Sequence, residues 1–187
     1  MKNIHLIVFT GWPADGKSSL SKELENYGFK YVGTDTIRKE IYPNKFPLEI
    51  KYPDDWENIW NEVCSCRDEL LCKRNHVIID SCAQNKYIRD KFFTVPAKIE
   101  SYFESNDIVI RRELVHLHIS EDERVAREKN RGRNPHYMLE LMDVMKTDYQ
   151  NPRDYRFENV EFLEYQNSNL EEQKEIINNF ITRLNSS

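Results

Sequence analysis

The sequence is short of the features that several large protein classes need. Near its start it has only a brief apolar run, Ile4 to Phe9, too short to span a bilayer. No signal-peptide cleavage pattern follows, so no membrane partner is expected and the cytoplasm is the expected location. The four cysteines, Cys64, Cys66, Cys72 and Cys82, lack zinc-ribbon or zinc-finger spacing and any secretory context, which makes free thiols the expectation. An excess of positive charge is missing too, since the formal net charge is −5. Proteins that hold long nucleic acid usually carry a basic surface, because neutralising phosphates supplies most of the affinity. Any nucleic-acid contact here must be local. There is no internal repeat and no low-complexity linker, and 187 residues suit one domain, 1–187, better than two.

What is there is an alternation of strand-length apolar runs with longer segments of helical period, the pattern of a parallel α/β sheet. His5 to Thr10 reads as the first strand, and a helix from about Lys17 carries Leu20, Leu24 and Tyr27 on one face, with Gly28 placed to end it. Phe29 to Val32 is a short strand, and Thr34 or Asp35 opens a helix that ends before Pro43. Pro43, Pro47 and Pro53 exclude a regular helix from Tyr42 to Asp55. Periodicity resumes with Trp56, Ile59, Trp60, Val63, Cys66 and Leu70. His76 to Asp80 and Leu114 to Ile119 read as the third and fourth strands, with a helical tendency between them from Asn85 to Ser105, broken at Pro96. Ser120 and Glu123 form a capping box for the next helix. A basic stretch to Arg133, a helix from Tyr137 to Tyr149, a fifth strand near Val160 to Tyr165 and a last helix from about Asn169 complete a three-layer domain.

The strongest motif is Gly11-Trp12-Pro13-Ala14-Asp15-Gly16-Lys17-Ser18, which matches G-x-x-x-x-G-K-[ST] at every fixed position. It lies between an apolar strand and an amphipathic helix, as a phosphate-binding loop must. Glycines let the backbone curl so that amides and a helix N-terminus face an anion. Lys17 supplies a point charge for β and γ phosphates, and Ser18 a hydroxyl for Mg²⁺. Gly11, Pro13, Ala14, Asp15, Gly16, Lys17, Ser18 and Ser19 are therefore the candidate nucleotide contacts. Asp15 would repel a triphosphate unless it faced solvent, and an outward orientation is the expectation.

Three further features point to phosphotransfer. Asp35 and Arg38, at i and i+3, share a face at a helix start. Asp35 could take or orient the proton of an acceptor hydroxyl, and Arg38 could hold an acceptor phosphate or carboxylate. The plain alternative is an N-cap and a surface charge. Asp80 ends an apolar strand, where it could bind Mg²⁺ through water, orient Arg38, or merely begin a turn. Arg124, Arg127 and Arg131 recur at helical spacing with Arg133 beyond, either to stabilise a transferring phosphate or to form a solvated basic face paired with Glu123 and Glu128.

Together, the loop with its Pro13, Gly33-Thr34-Asp35-x-x-Arg38, the strand Val77 to Asp80 and the run Arg127 to Arg133 resemble the polynucleotide-kinase-like P-loop kinases. That group includes polynucleotide 5′-hydroxyl kinases, zeta-toxin-like kinases and antibiotic phosphotransferases. The resemblance implies a three-layer α/β/α P-loop NTPase fold with a five-stranded parallel sheet and an arginine-bearing lid over about 124–150. It implies Asp35 as general base, Arg38 at the acceptor, and Arg127 or Arg131 as lid arginines. Asp15 is unusual for the group, and Ser81-Cys82-Ala83-Gln84-Asn85 replaces its small-residue and Thr-Asn stretch.

The acceptor is less legible. Lys45, Phe46, Lys51, Tyr52 and Trp56 could stack a base beside a phosphate, or simply staple a loop to the body. A nucleic-acid or nucleotide-like 5′-hydroxyl fits these residues, while a nucleoside, sugar nucleotide or antibiotic fits the acidic charge; a nucleotide-binding switch without transfer is a third reading. His116 and His118 share a strand face but lack a third metal ligand, and Trp56 and Trp60 read as core. The expectation is a monomeric or weakly associating kinase using Mg²⁺ and ATP, with GTP as the alternative donor.

Overall fold

Nine residues from Lys2 to Thr10 form the first strand, β1, and its last seven are all buried. Burial on both faces requires a strand inside a parallel sheet with helices above and below. The computed structural model, which describes residues 2–185, places β1 between β3 (His76–Asp80) and β4 (Ile108–His118). The outer strands β2 (Phe29–Gly33) and β5 (Val160–Gln166) complete the order β2-β3-β1-β4-β5. Every pairing is parallel, with Phe9 opposite Asp80 on one side and Val115 on the other.

Alternation along β1 divides the core. Ile4, Leu6 and Val8 pack on one face against Ile59, Trp60 and Val63 of α3 (Asp54–Cys72), Ile88 and Phe92 of α4 (Lys86–Phe93), and Ile99 and Phe103 of α5 (Ala97–Glu104). Ile7 and Phe9 pack on the other against Leu20 and Leu24 of α1 (Lys17–Glu25) and Ile176, Ile177 and Phe180 of α8 (Leu170–Asn185). The result is the three-layer α/β/α arrangement. Three further helices, α2 (Thr34–Ile41), α6 (Glu121–Asn130) and α7 (Pro135–Lys146), follow the carboxyl ends of β2 and β4. Because β1 feeds α1 while its neighbours belong to later crossovers, a crevice opens at its carboxyl end, where ligands of such sheets bind. Among the described residues no helix is long and apolar enough to cross a membrane.

Local chemistry sets the element ends. Ser120 Oγ accepts from Glu123 N–H at 3.3 Å while the Glu123 carboxylate accepts from Ser120 N–H at 2.9 Å, so the capping box opens α6 as its sequence implies. Pro96 separates α4 from α5, since it cannot continue the ladder. The largest departure is β4, which begins at Ile108 rather than Leu114. Arg111, Arg112 and Glu113 interrupt its apolar pattern, yet Glu113 is buried and accepts from His5 Nδ1 at 3.2 Å and Arg183 Nη1 at 3.0 Å. Long-range pairing therefore carries charge into a strand that local hydrophobicity does not mark.

A neighbouring pair gives the fold a pH dependence. His76 Nδ1 accepts the His5 backbone N–H at 3.1 Å, which needs an unprotonated ring nitrogen. Burial, reinforced by the charges of His5 and Lys2, lowers His76 from 6.5 to about 4. Between those values the unfolded chain binds a proton that the folded one does not, so stability falls as pH drops through this window and levels off below it. Urea unfolding between pH 7 and 4 should show a loss of about 1–3 kcal/mol, and His76→Gln should flatten that part of the profile.

Candidate functional site

At the end of β1, Thr10 Oγ1 donates to the Cys82 carbonyl at 2.8 Å, and Gly11 N–H reaches the same oxygen at 3.4 Å. The chain then turns through left-handed conformations at Gly11 (φ 143), Ala14 (φ 67) and Gly16 (φ 90) before α1 begins at Lys17. A side chain at Gly11 would strike the Leu117 carbonyl and lie 2.9 Å from Asp15 Oδ2, so this position is closed to other residues. Lys17 Nζ folds back to donate to the carbonyls of Gly11 at 2.9 Å and Trp12 at 2.7 Å, which sets its ammonium over the loop. Ser18 and Ser19 are exposed at the start of α1.

Asp15 departs from its expected outward orientation. It is 0% exposed. Its Oδ2 accepts the Trp12 N–H at 2.7 Å and its Oδ1 pairs with Arg124 Nε at 2.6 Å. The repulsion argument assumed a lone carboxylate; a guanidinium 109 residues away in sequence removes that premise. Arg127, one turn further along α6, donates from Nη1 to the Ala14 carbonyl at 3.1 Å and from Nη2 to the Asn167 carbonyl. Asn167 is buried just past β5, and its Nδ2 donates to the Asp15 carbonyl at 2.8 Å. No motif marks Asn167 in the sequence. Its one signal is position, directly beyond a strand that ends at the same edge as the loop.

Arg131, by contrast, stays away from the loop: it caps α6 and pairs with Glu128 at 3.1 Å, as Arg133 does at 3.7 Å. The helical face shared by three arginines thus divides, with two on the loop and the third on its own helix.

The second half of the site lies at the ends of β2 and β3. Asp35 opens α2 with its side chain 62% exposed, and it pairs with Arg38 Nε at 2.8 Å and Lys39 Nζ at 3.1 Å. Partial burial works to raise the Asp35 carboxyl, but the hydrogen bonds and charges of Arg38 and Lys39 outweigh it and hold the group below the usual carboxylate range. Arg38 itself is 4% exposed and also donates to the Lys45 carbonyl, so it roots the 42–53 segment at the base of α2. Asp80 is buried, and it accepts from Tyr31 Oη at 3.2 Å rather than from Arg38, while its carbonyl accepts from Thr34 Oγ1 at 3.1 Å. Tyr31 is pushed up to about 12, first by burial and then by the Asp80 charge, so the phenol stays neutral and acts as a hydrogen-bond donor to Asp80. The strand register brings the two halves together: Asp80 lies opposite Phe9, just before the loop, and opposite Gly33, just before α2.

Aromatic and polar contacts close the surroundings. Trp12 of the loop stacks on Tyr149 at 4.5 Å between centroids. Phe46 packs edge-on against Tyr137 of α7 at 5.9 Å, and Tyr137 Oη accepts the Leu48 N–H at 3.4 Å. Asp148, after α7, accepts from Tyr52 Oη at 2.7 Å and from Asn85 Nδ2. Asn85 also caps α4 by accepting Ile88 N–H at 3.0 Å. Trp60 is buried and stacks on Trp56, as core residues do, and the Glu164 carboxylate accepts from His116 Nδ1 at 2.9 Å.

Gly16 tests the bracing of the loop. Its φ of 90 is left-handed, and an added Cβ would run into the Asn167 amide. Gly16→Ala should cost about 1–3 kcal/mol in urea unfolding. Adding Asn167→Ala should recover the steric part and leave the backbone part.

The fold is shared with a sugar kinase from Janibacter sp. HTCC2649, at 13% identity and a TM-score of 0.66 over 98% of this chain and 95% of that one. A gluconokinase from Sinorhizobium meliloti 1021 aligns at 18% identity and a TM-score of 0.52, over 98% and 99% of the two chains. The APS kinase of Mycobacterium tuberculosis, solved in complex with AMPPNP and APS, aligns at 13% identity and a TM-score of 0.57, over 95% and 96%. Comparison with curated proteins gives no match. These likenesses show the three-layer α/β/α fold with its five-stranded parallel sheet, and residues 6–152, which hold the loop, Asp35, Asp80 and all four arginines of the α6 region, match the AAA domain family, to which this protein belongs.

Proposed function

We propose that the protein is a kinase that moves the γ-phosphoryl group of ATP, with GTP as the alternative donor, to the hydroxyl of a nucleotide-like acceptor. The observation that carries this reading is the strand register at Asp80, which lies opposite Phe9 just before the loop and opposite Gly33 just before α2, so that Lys17 over the loop and the accessible Asp35 share one end of the sheet. Phosphoryl transfer asks for positioning and charge stabilisation more than for covalent chemistry. Lys17 supplies the mobile positive charge, and the loop amides at the head of α1 supply fixed dipoles. Asp35 accepts the hydrogen bond of the acceptor hydroxyl and takes its proton as the new P–O bond forms. Arg38 holds the Asp35 carboxylate ionised and aimed.

Ser18 and Asp80 present a hydroxyl and a carboxylate, oxygen donors that suit a hard cation. Mg²⁺ bound there would neutralise charge between the β and γ phosphates. Asp80 fits that task because its hydrogen-bonding neighbour Tyr31 is a neutral phenol, not a competing cation. Arg127 and Arg131 are the arginines proposed to reach the phosphates once nucleotide is bound.

The 42–53 segment and the α7 region are bridged at two places, Phe46 and Leu48 to Tyr137 and Tyr52 to Asp148. Bridging favours an acceptor of nucleotide size over a long polymer, in keeping with the net charge of −5. A sugar or antibiotic hydroxyl is the second reading, supported by the same bridges. Transfer of labelled γ-phosphate to 5′-hydroxyl oligonucleotides, nucleosides, sugar nucleotides and aminoglycosides separates them. Lys17→Ala should abolish transfer to every acceptor, and Asp35→Asn should lower kcat about 10²–10⁴-fold with little change in ATP KM. Arg38→Ala should raise the acceptor KM more than the ATP KM. Bound ATP with no labelled acceptor in the whole panel would overturn the kinase reading.

A further inference from the structure

A phosphate-binding loop that carries its own buried carboxylate faces an electrostatic problem. Asp15 lies inside the loop, with its Oδ2 against Gly11 and the Trp12 amide. An uncompensated carboxylate in this position would repel each phosphate that the loop takes up. It would also be expensive to bury. Arg124 meets both costs. Arg124 is 7% exposed, its Nε lies 2.6 Å from Asp15 Oδ1, and it comes from the buried face of α6. Among the described residues it is the cation in contact with this carboxylate.

We propose that Arg124 is a positioning residue for polyphosphate binding: it cancels and anchors the Asp15 carboxylate, so that the loop keeps a shape and a net charge able to accept a nucleoside triphosphate. The inference rests on the reading of the loop as the nucleotide site. It gives Arg124 a different task from that of a lid arginine, because a guanidinium spent on Asp15 beneath the loop is not available to the transferring phosphate. It also explains how Asp15 persists in the loop. Oδ2 holds the Trp12 N–H, and so fixes the first turn, while Oδ1 is neutralised.

The test is Mg²⁺-nucleotide binding by calorimetry to the full chain, with ATP, ADP and AMP. Arg124→Gln should weaken ATP binding about 10–100-fold, with a smaller loss for ADP and the least for AMP, since the penalty scales with phosphate charge. Arg124→Lys should recover much of the loss. Asp15→Asn should bind ATP more tightly than wild type, because it keeps an acceptor for Trp12 N–H and frees a positive charge. Asp15→Asn with Arg124→Gln should return to within about threefold of wild type. That neutral pair carries the comparison by itself where Arg124→Gln alone folds poorly. Equal losses for ATP and AMP, a double variant no better than Arg124→Gln, or weaker ATP binding by Asp15→Asn would each overturn the proposal. A wild-type protein that binds AMP, ADP and ATP equally poorly would instead overturn the reading of the loop, and this inference with it.

Discussion

One bend of backbone, from Gly11 to Gly16 with left-handed φ at Gly11, Ala14 and Gly16, organises the carboxyl end of the sheet. It is not self-supporting. Cys82 beyond β3 anchors its start, Arg127 of α6 holds the Ala14 carbonyl, and Asn167 beyond β5 holds the Asp15 carbonyl. These supports arrive from three separate crossovers, so the bend takes its shape only when the parallel order β3-β1-β4-β5 is complete. Non-local pairing of this kind is slow to form and cooperative once formed. The loop motif is thus local in sequence and global in its stability.

Three carboxylates surround that bend, and each has a different kind of partner. Asp15 is buried against a guanidinium, Asp35 is exposed beside two cations, and Asp80 is buried beside a neutral phenol. The differences sort their chemistry. Asp15 is neutralised and out of reach. Asp35 is ionised and accessible, which suits a group that must meet a substrate hydroxyl. Asp80 is buried with an uncharged partner, which suits a cation. A single sequence pattern, Asp at the end or start of an element, therefore yields three environments, and only the tertiary contacts tell them apart.

That distinction marks the limit of what the sequence reveals. The strands His76 to Asp80 and Val160 onward, the Ser120 cap and the break at Pro96 are legible because their causes are local: apolar runs, a side chain three residues from its partner, a missing N–H. The first half of β4 is not, because Glu113 is tolerated there through His5 and Arg183, which lie far away along the chain. The orientation of Asp15 fails for the same reason. Repulsion from phosphate is sound physics, but the expected outcome reverses once Arg124 is beside it. Asn167 carries no motif and only its position after β5 points to it, since a single Asn after a strand is ordinary until β5 takes its place beside β4.

The region from 124 to 150, read as one lid, is divided by its contacts into two parts with different attachments. Arg124 and Arg127 bind α6 to the phosphate loop, whereas Tyr137 and Asp148 bind the α7 region to the 42–53 segment and to Asn85. Between them lies an exposed connection, Arg131 to Asn134, whose two arginines both pair, among the described residues, with the buried Glu128 of α6. Their guanidiniums are far more exposed than that of Arg124, so each is held less firmly than the pair at Asp15. Because two arginines share one carboxylate, Arg131 can leave for a phosphate while Arg133 stays beside Glu128. The buried pair at Asp15 has the opposite character, because separating it would strand two charges. A site built this way keeps its nucleotide cradle fixed and leaves the far end of α6 to respond when a ligand arrives.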